Sequence, residues 1–215
     1  MTHFQSIKRF TLAAMVASSA VITLGACAPL VLGGAMVGGG FVATDRRTSG
    51  AQLEDEGIEL RSSARVGDKG HINVTSYNRQ VLLTGEVASE QVKAQVEDIV
   101  SKVENVRIVV NELAVAGTSS LSQRSSDSLV TGRVKAVLVD ARDISSNAFK
   151  IVTERGIVYM MGRVTQREAN RATELVRGVS GVQRVVRVLE LISEDELKQL
   201  QSVPAPAATS SKPAV

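Results

Sequence analysis

The sequence predicts an α+β protein built from two tandem αββαβ modules, each a small three-stranded mixed sheet packed by two helices. Three observations lead there. The chain repeats itself: residues 72–115 and 148–191 share one pattern, with a single-residue gap, so that Val81, Gly85 and Val87 fall on Val158, Gly162 and Val164. The hydrophobic period changes in the same order within both copies, from two β-type stretches to a helical stripe and back to a Val-rich strand. The length, 215 residues, suits two compact modules of under about a hundred residues each.

Each element follows from local pattern. Candidate helices around 51–65 and 127–141 precede the copies. The first two strands turn at Asn78-Arg79 and at Arg155-Gly156. Gly85 and Gly162 stand where strand passes toward helix, where a side chain would obstruct close backbone approach. Val92, Val96, Ile99, Val100 and Val103 form an amphipathic stripe, matched by Ala172, Leu175, Val176 and Val179. Ser89 caps the first of these helices, and Thr165 with Glu168 reads as a capping box on the second.

The domain plan is a leader at 1–26, a lipidated Gly-rich tether at 27–50 and a first module at 51–115, followed by a Ser/Gly/Thr linker at 116–126, a second module at 127–192 and a disordered tail at 193–215. Lys8 and Arg9 precede a short apolar run that ends in Leu24-Gly25-Ala26-Cys27, so Cys27 is the expected lipidation site. The Ala at position 28, by the bacterial sorting pattern, directs the anchored chain to the outer membrane. Several acyl chains at one amino terminus make such anchoring effectively permanent.

Composition narrows the function. Aromatics are 3% of the chain and Trp is absent, which leaves no stacking platform for single-stranded nucleic acid. One cysteine excludes an intrachain disulfide framework. The sequence shows no P-loop, GxGxxG or HExxH pattern. His71 begins a strand with no evident partner, and Glu54, Asp55 and Glu56 read as a solvated acidic run. The reading is therefore of a protein that is not an enzyme and carries no metal or cofactor.

Charge divides the copies. Residues 51–115 hold 7 basic and 11 acidic groups, net minus 4, whereas 128–191 hold 11 basic and 6 acidic, net plus 5. The second copy suits anionic lipid, where each Lys or Arg near the surface contributes about 1 kcal/mol. Alternatively, the opposite charges dock the copies on each other. In the helix at 127–141, at about 100° per residue, Val130, Val134, Val137, Leu138 and Ala141 form a core stripe. Leu129, Gly132, Ala136 and Val139 form a second apolar stripe, with Arg133, Lys135 and Arg142 along the borders. The second stripe must face a bilayer, the other copy or a partner protein.

With these features assembled, the chain resembles the BON-domain family in its two-module, outer-membrane lipoprotein form. The resemblance is carried by residues 24–27, by Asp45-Arg46-Arg47 through Gln52, by HINVTSY and VLLTGEV, and by IVTERGIVYMMGRVTQREA with VSGVQRV. It implies the αββαβ fold, residence on the periplasmic face of the outer membrane, binding of anionic phospholipid, and support of envelope integrity and cell division. It also implies that lipid meets the first helix of the second module, at Leu129, Gly132, Arg133, Lys135, Ala136 and Val139. The alternative is a periplasmic adaptor that uses the same helix for an envelope protein.

Overall fold

The structure, a computed structural model, describes residues 45–202. The leader, Cys27 and the tether up to residue 44, together with residues 203–215, lie outside the described residues. The first module runs α1 (Ser49–Val66), β1 (Gly70–Tyr77), β2 (Gln80–Val87), α2 (Glu90–Ser101), β3 (Ile108–Asn111) and β4 (Ala114–Val115). The second runs α3 (Leu121–Asp140), a 3-10 turn at Ser146–Ala148, β5 (Phe149–Glu154), β6 (Ile157–Thr165), α4 (Gln166–Arg177) and β7 (Arg184–Ile192), and α5 (Glu194–Ser202) follows.

Each module is a mixed sheet with its second strand in the middle. β1 pairs antiparallel with β2, and β3 runs parallel on the other side of β2. β5, β6 and β7 repeat this arrangement. The first sheet counts four strands because its last strand is interrupted. Asn111 accepts a side-chain hydrogen bond from the Leu113 N–H at 3.3 Å, Leu113 enters the core, and β4 then resumes beside β2.

Alternation along the strands explains the cores. Val81, Leu83 and Val87 of β2 face α1 and α2, where they meet Ile58, Val66, Val96 and Val100. Val158, Met160 and Val164 of β6 face α3 and α4 in the same way, against Val130, Val134, Leu138, Ala172 and Val176. The glycines expected at strand exits lie inside the central strands. An added Cβ at Gly85 or Gly162 would collide with the carbonyl oxygen of His71 or Ala148 on the neighbouring chain segment, and φ is 111° and 158°.

Local signals set the helix starts. Ser89 accepts from the Val92 N–H, and the Thr165–Glu168 capping box is complete. Two expectations need correction. α3 begins at Leu121, inside the stretch read as linker, because Ser120 caps it by accepting from the Gln123 N–H; the serine richness that suggested a linker also supplies a favoured cap. Residues 194–202, read as part of a disordered tail, form α5. Three acidic residues occupy its first turn, Ser193 accepts from the Glu196 N–H, and Leu197 is buried.

The two sheets pack back to back. Their outer faces, turned away from the helices, meet through Tyr77 and Leu82 from one module and Tyr159, Met161 and Val188 from the other. Burial of a side chain of this size contributes about 1.5–3 kcal/mol. Residues 81–87 of β2 are buried without a break. This double-sided burial accounts for the near-continuous apolar runs in VLLTGEV and IVYMMG, which resemble strands buried on both faces.

Candidate functional site: the outer face of α3 and the module junction

α3 turns one side to its own core and the opposite side to solvent. Val130, Val134 and Leu138 are buried, whereas Leu129 and Val139 are 63% and 66% exposed. Gly132, Arg133, Lys135 and Ala136 are also exposed, and Gly132 has open space where a side chain would stand. All six residues singled out from the sequence therefore share the accessible part of one helix. Leu121, 79% exposed, extends the same face by two turns. Sequence reasoning missed it because the segment was assigned to the linker. From Leu121 to Val139 the face is roughly 27 Å long at 1.5 Å per residue.

Its electrostatics are mildly cationic. Arg133 donates to the Ser180 carbonyl at 3.3 Å, which leaves its charge unneutralised. No ion pair among the described residues includes Lys135 or Arg142. Asp140, at the end of α3, is the one acidic residue on this outer surface. The corresponding helix α1 also exposes large apolar residues, Leu53 at 71% and Leu60 at 74%. There the neighbours are Glu54, Glu56 and Glu59, which makes that face a poor match for an anionic surface.

Much of the opposite charge on the two modules meets at their junction. Lys150 pairs with Glu59 at 2.7 Å, Arg107 with Glu190 at 2.9 Å, Arg155 with Glu86 at 3.4 Å and Arg184 with Glu112 at 3.6 Å. Asn78 and Asn73 add hydrogen bonds to Glu190 and Glu154. Burial would raise the Glu190 carboxyl, but Asn78, Arg107 and Arg163 hold it below the ordinary range. Docking through charge thus coexists with a free cationic helix. The modules meet by their sheets and leave the outer face of α3 uncovered among the described residues.

The segment before α1 belongs to this junction. Arg46, with its side chain 7% exposed, makes a two-pronged ion pair to Glu168 at 2.7 and 2.8 Å and donates to the Arg163 carbonyl. Arg47 turns to the first module, pairs with Asp55 at 2.8 Å and lies 4.3 Å over the Tyr77 ring. The chain leaving the tether is therefore fastened to both modules.

Two polar residues differ from their sequence reading. Asp55, taken as solvated, is 2% exposed and binds the hairpin turn. His71, taken as unpartnered, lies 3.0 Å from Glu86, and Glu154 from the second module is close by. Burial pushes the Glu154 carboxyl up, with the Glu86 charge adding to the effect. Burial opposes ionisation of Glu86 as well, yet the Ser119 N–H, His71 and Arg155 hold it down.

The helix–strand order and the paired modules define a two-module protein of the αββαβ class. Residues 54–117 and 126–193 both match the family described as BON domain. The chain belongs to the BON-domain family. Its similarity to the outer membrane lipoprotein DolP of Haemophilus influenzae, 37% identity over 80% of this chain and 92% of that one, makes it a two-BON protein of the DolP type. It is also 29% identical to a 21 kDa hemolysin of Actinobacillus pleuropneumoniae, over 69% of this chain and 79% of that one. Among solved structures, CdsD, a structural protein of the type III secretion system of Chlamydia trachomatis, covers 70% of this chain and 68% of its own, with 15% identity and a TM-score of 0.28.

Proposed function

We propose that this protein is an outer-membrane lipoprotein, anchored through Cys27 on the periplasmic face, whose second module reads anionic phospholipid through α3. The outer face of α3 carries the reading. It is apolar along Leu129, Gly132, Ala136 and Val139, bordered by Arg133 and Lys135, and turned away from both its own core and the other module. The relative named as an outer membrane lipoprotein supports the location. No helix among the described residues is long and apolar enough to cross a membrane. A shallowly inserted helix combines apolar burial with attraction of cations to headgroups, and neither needs a closed pocket. In this role the protein supports envelope integrity and acts at division sites, with no catalytic step.

The experiment is vesicle flotation of a chain that begins after Cys27, so that acyl chains contribute nothing. Phosphatidylglycerol vesicles should carry the protein upward, and neutral vesicles should not, with binding weakened by salt. Equal indifference to both lipids would transfer the α3 face to the rival reading, an adaptor for an envelope protein.

A further inference from the structure

His71 stands opposite Glu86 in the antiparallel pairing of β1 with β2, and both face the second module. Its Nδ1 lies 3.0 Å from Glu86 Oε2. Glu154, the last residue of β5, brings a third donor from across the junction, and one ligand atom from each of the three residues lies within 4.8 Å of the others. We infer that His71, Glu86 and Glu154 form a binding site for one divalent transition-metal ion, with Zn2+ the best match, and that the ion ties the two modules together.

The donor chemistry selects the class of ion. One imidazole nitrogen with two carboxylate oxygens suits a borderline ion in four-coordinate geometry, with the last position left for water. Ca2+ requires about six or more oxygens, and Mg2+ near-ideal octahedral geometry, which this set does not provide. Glu86 and Glu154 are 2% and 7% exposed, so the ion would find two carboxylates already stripped of water. Their orientation is set from outside: Asn73 donates to Glu154 at 2.9 Å, and Arg155 contacts Glu86 at 3.4 Å. Such outer partners hold ligands in place at metal centres. Thr84 is on the same strand face, two residues from Glu86 and opposite Asn73, and its buried hydroxyl has no hydrogen-bond partner. It can serve a metal-bound water. The His71 side chain is 22% exposed, so the cluster is open to solvent on that side. To bind through Nδ1, the His71 ring must carry its one proton on Nε2: a doubly protonated ring releases its Nδ1 proton to solvent, and a neutral Nδ1–H ring loses that proton while taking one up at Nε2.

The test uses the full chain with Cys27→Ser, which removes its one thiol. ZnCl2 is titrated calorimetrically and followed by thermal unfolding. One equivalent should bind saturably and raise the unfolding midpoint, EDTA should reverse the shift, and MgCl2 should produce none. His71→Ala and Glu154→Gln should each weaken binding more than about tenfold, and Asn73→Ala about tenfold. CoCl2 added to the chain with no further substitution should give the intense visible absorption of a four-coordinate ion, a readout that does not depend on any ligand variant folding. Absence of saturable Zn2+ binding, a weak six-coordinate Co2+ spectrum, or affinity unchanged in both ligand variants would overturn the site.

Discussion

Asp55 and Asp127 occupy the same place in the two modules: each projects from the first helix of its module and accepts the two backbone N–H groups of that module's hairpin turn. Asp55 takes them from Asn78 and Arg79 at 2.7 and 2.8 Å, and Asp127 from Arg155 and Gly156 at 2.9 and 2.8 Å. The turns have positive φ at Asn78, Arg79, Arg155 and Gly156. Their amides point away from the ladder, and a carboxylate from the helix satisfies them. The repeat extends to this polar anchor, and it pins each helix to its sheet.

Asp55→Ala should destabilise the protein by roughly 3 kcal/mol, since two turn amides, Ser76 and Arg47 all lose a buried charged acceptor. Burial would raise the Asp55 carboxyl, but the Arg79 N–H, the Ser76 hydroxyl, Arg47 and the Asn78 N–H outweigh it and hold it below the ordinary value. Its contribution is therefore complete above the unfolded-state pKa of about 3.9 and is lost as pH falls toward and through the lower folded value. Urea unfolding at neutral and acid pH checks this: the gap between wild type and variant should narrow in acid.

On the α3 face, Leu129→Asp should weaken binding to phosphatidylglycerol vesicles by removing apolar burial and adding repulsion, and Arg133→Glu should weaken it in a salt-sensitive way. Asp140→Lys should strengthen it, by about 1 kcal/mol or roughly fivefold. Neither loss should unfold the module, because Val130, Val134 and Leu138 stay in place. Flotation together with circular dichroism separates the two effects.

A fragment from about 120 to 195 should fold, because its own helix–sheet core is complete. It should also self-associate, because Tyr159, Met161 and Val188 would lose their cover from the first module. Sedimentation at rising concentration should show dimers or larger species where the intact chain stays monodisperse. Tyr159→Asp in the fragment should suppress them.

Cys27→Ser should abolish acylation and leave an unprocessed or mislocalised chain. Metabolic labelling with a fatty acid should give no incorporation in the variant, and fractionation should place it outside the outer-membrane fraction.

The modules, their element order, the caps of α2 and α4 and the core stripe of α3, apart from Ala141, which stands just past the end of the helix, were legible in the sequence. All depend on interactions within a few residues or on hydrophobic period, and a period states which side of an element is buried. The same reasoning placed six residues on one face of α3, and it missed Leu121 because a serine-rich start looks alike as linker and as cap.

The sequence by itself determined that the chain holds two like αββαβ units and that charge separates them. Only the tertiary structure decided that the sheets meet back to back, that Arg46 reaches Glu168 and that His71 and Glu86 gather Glu154. Those partners lie between 15 and 122 positions apart in the chain. A strand's period marks its two faces but not what covers the second one. A carboxylate in an acidic run looks solvated until a distant turn or module supplies its donors.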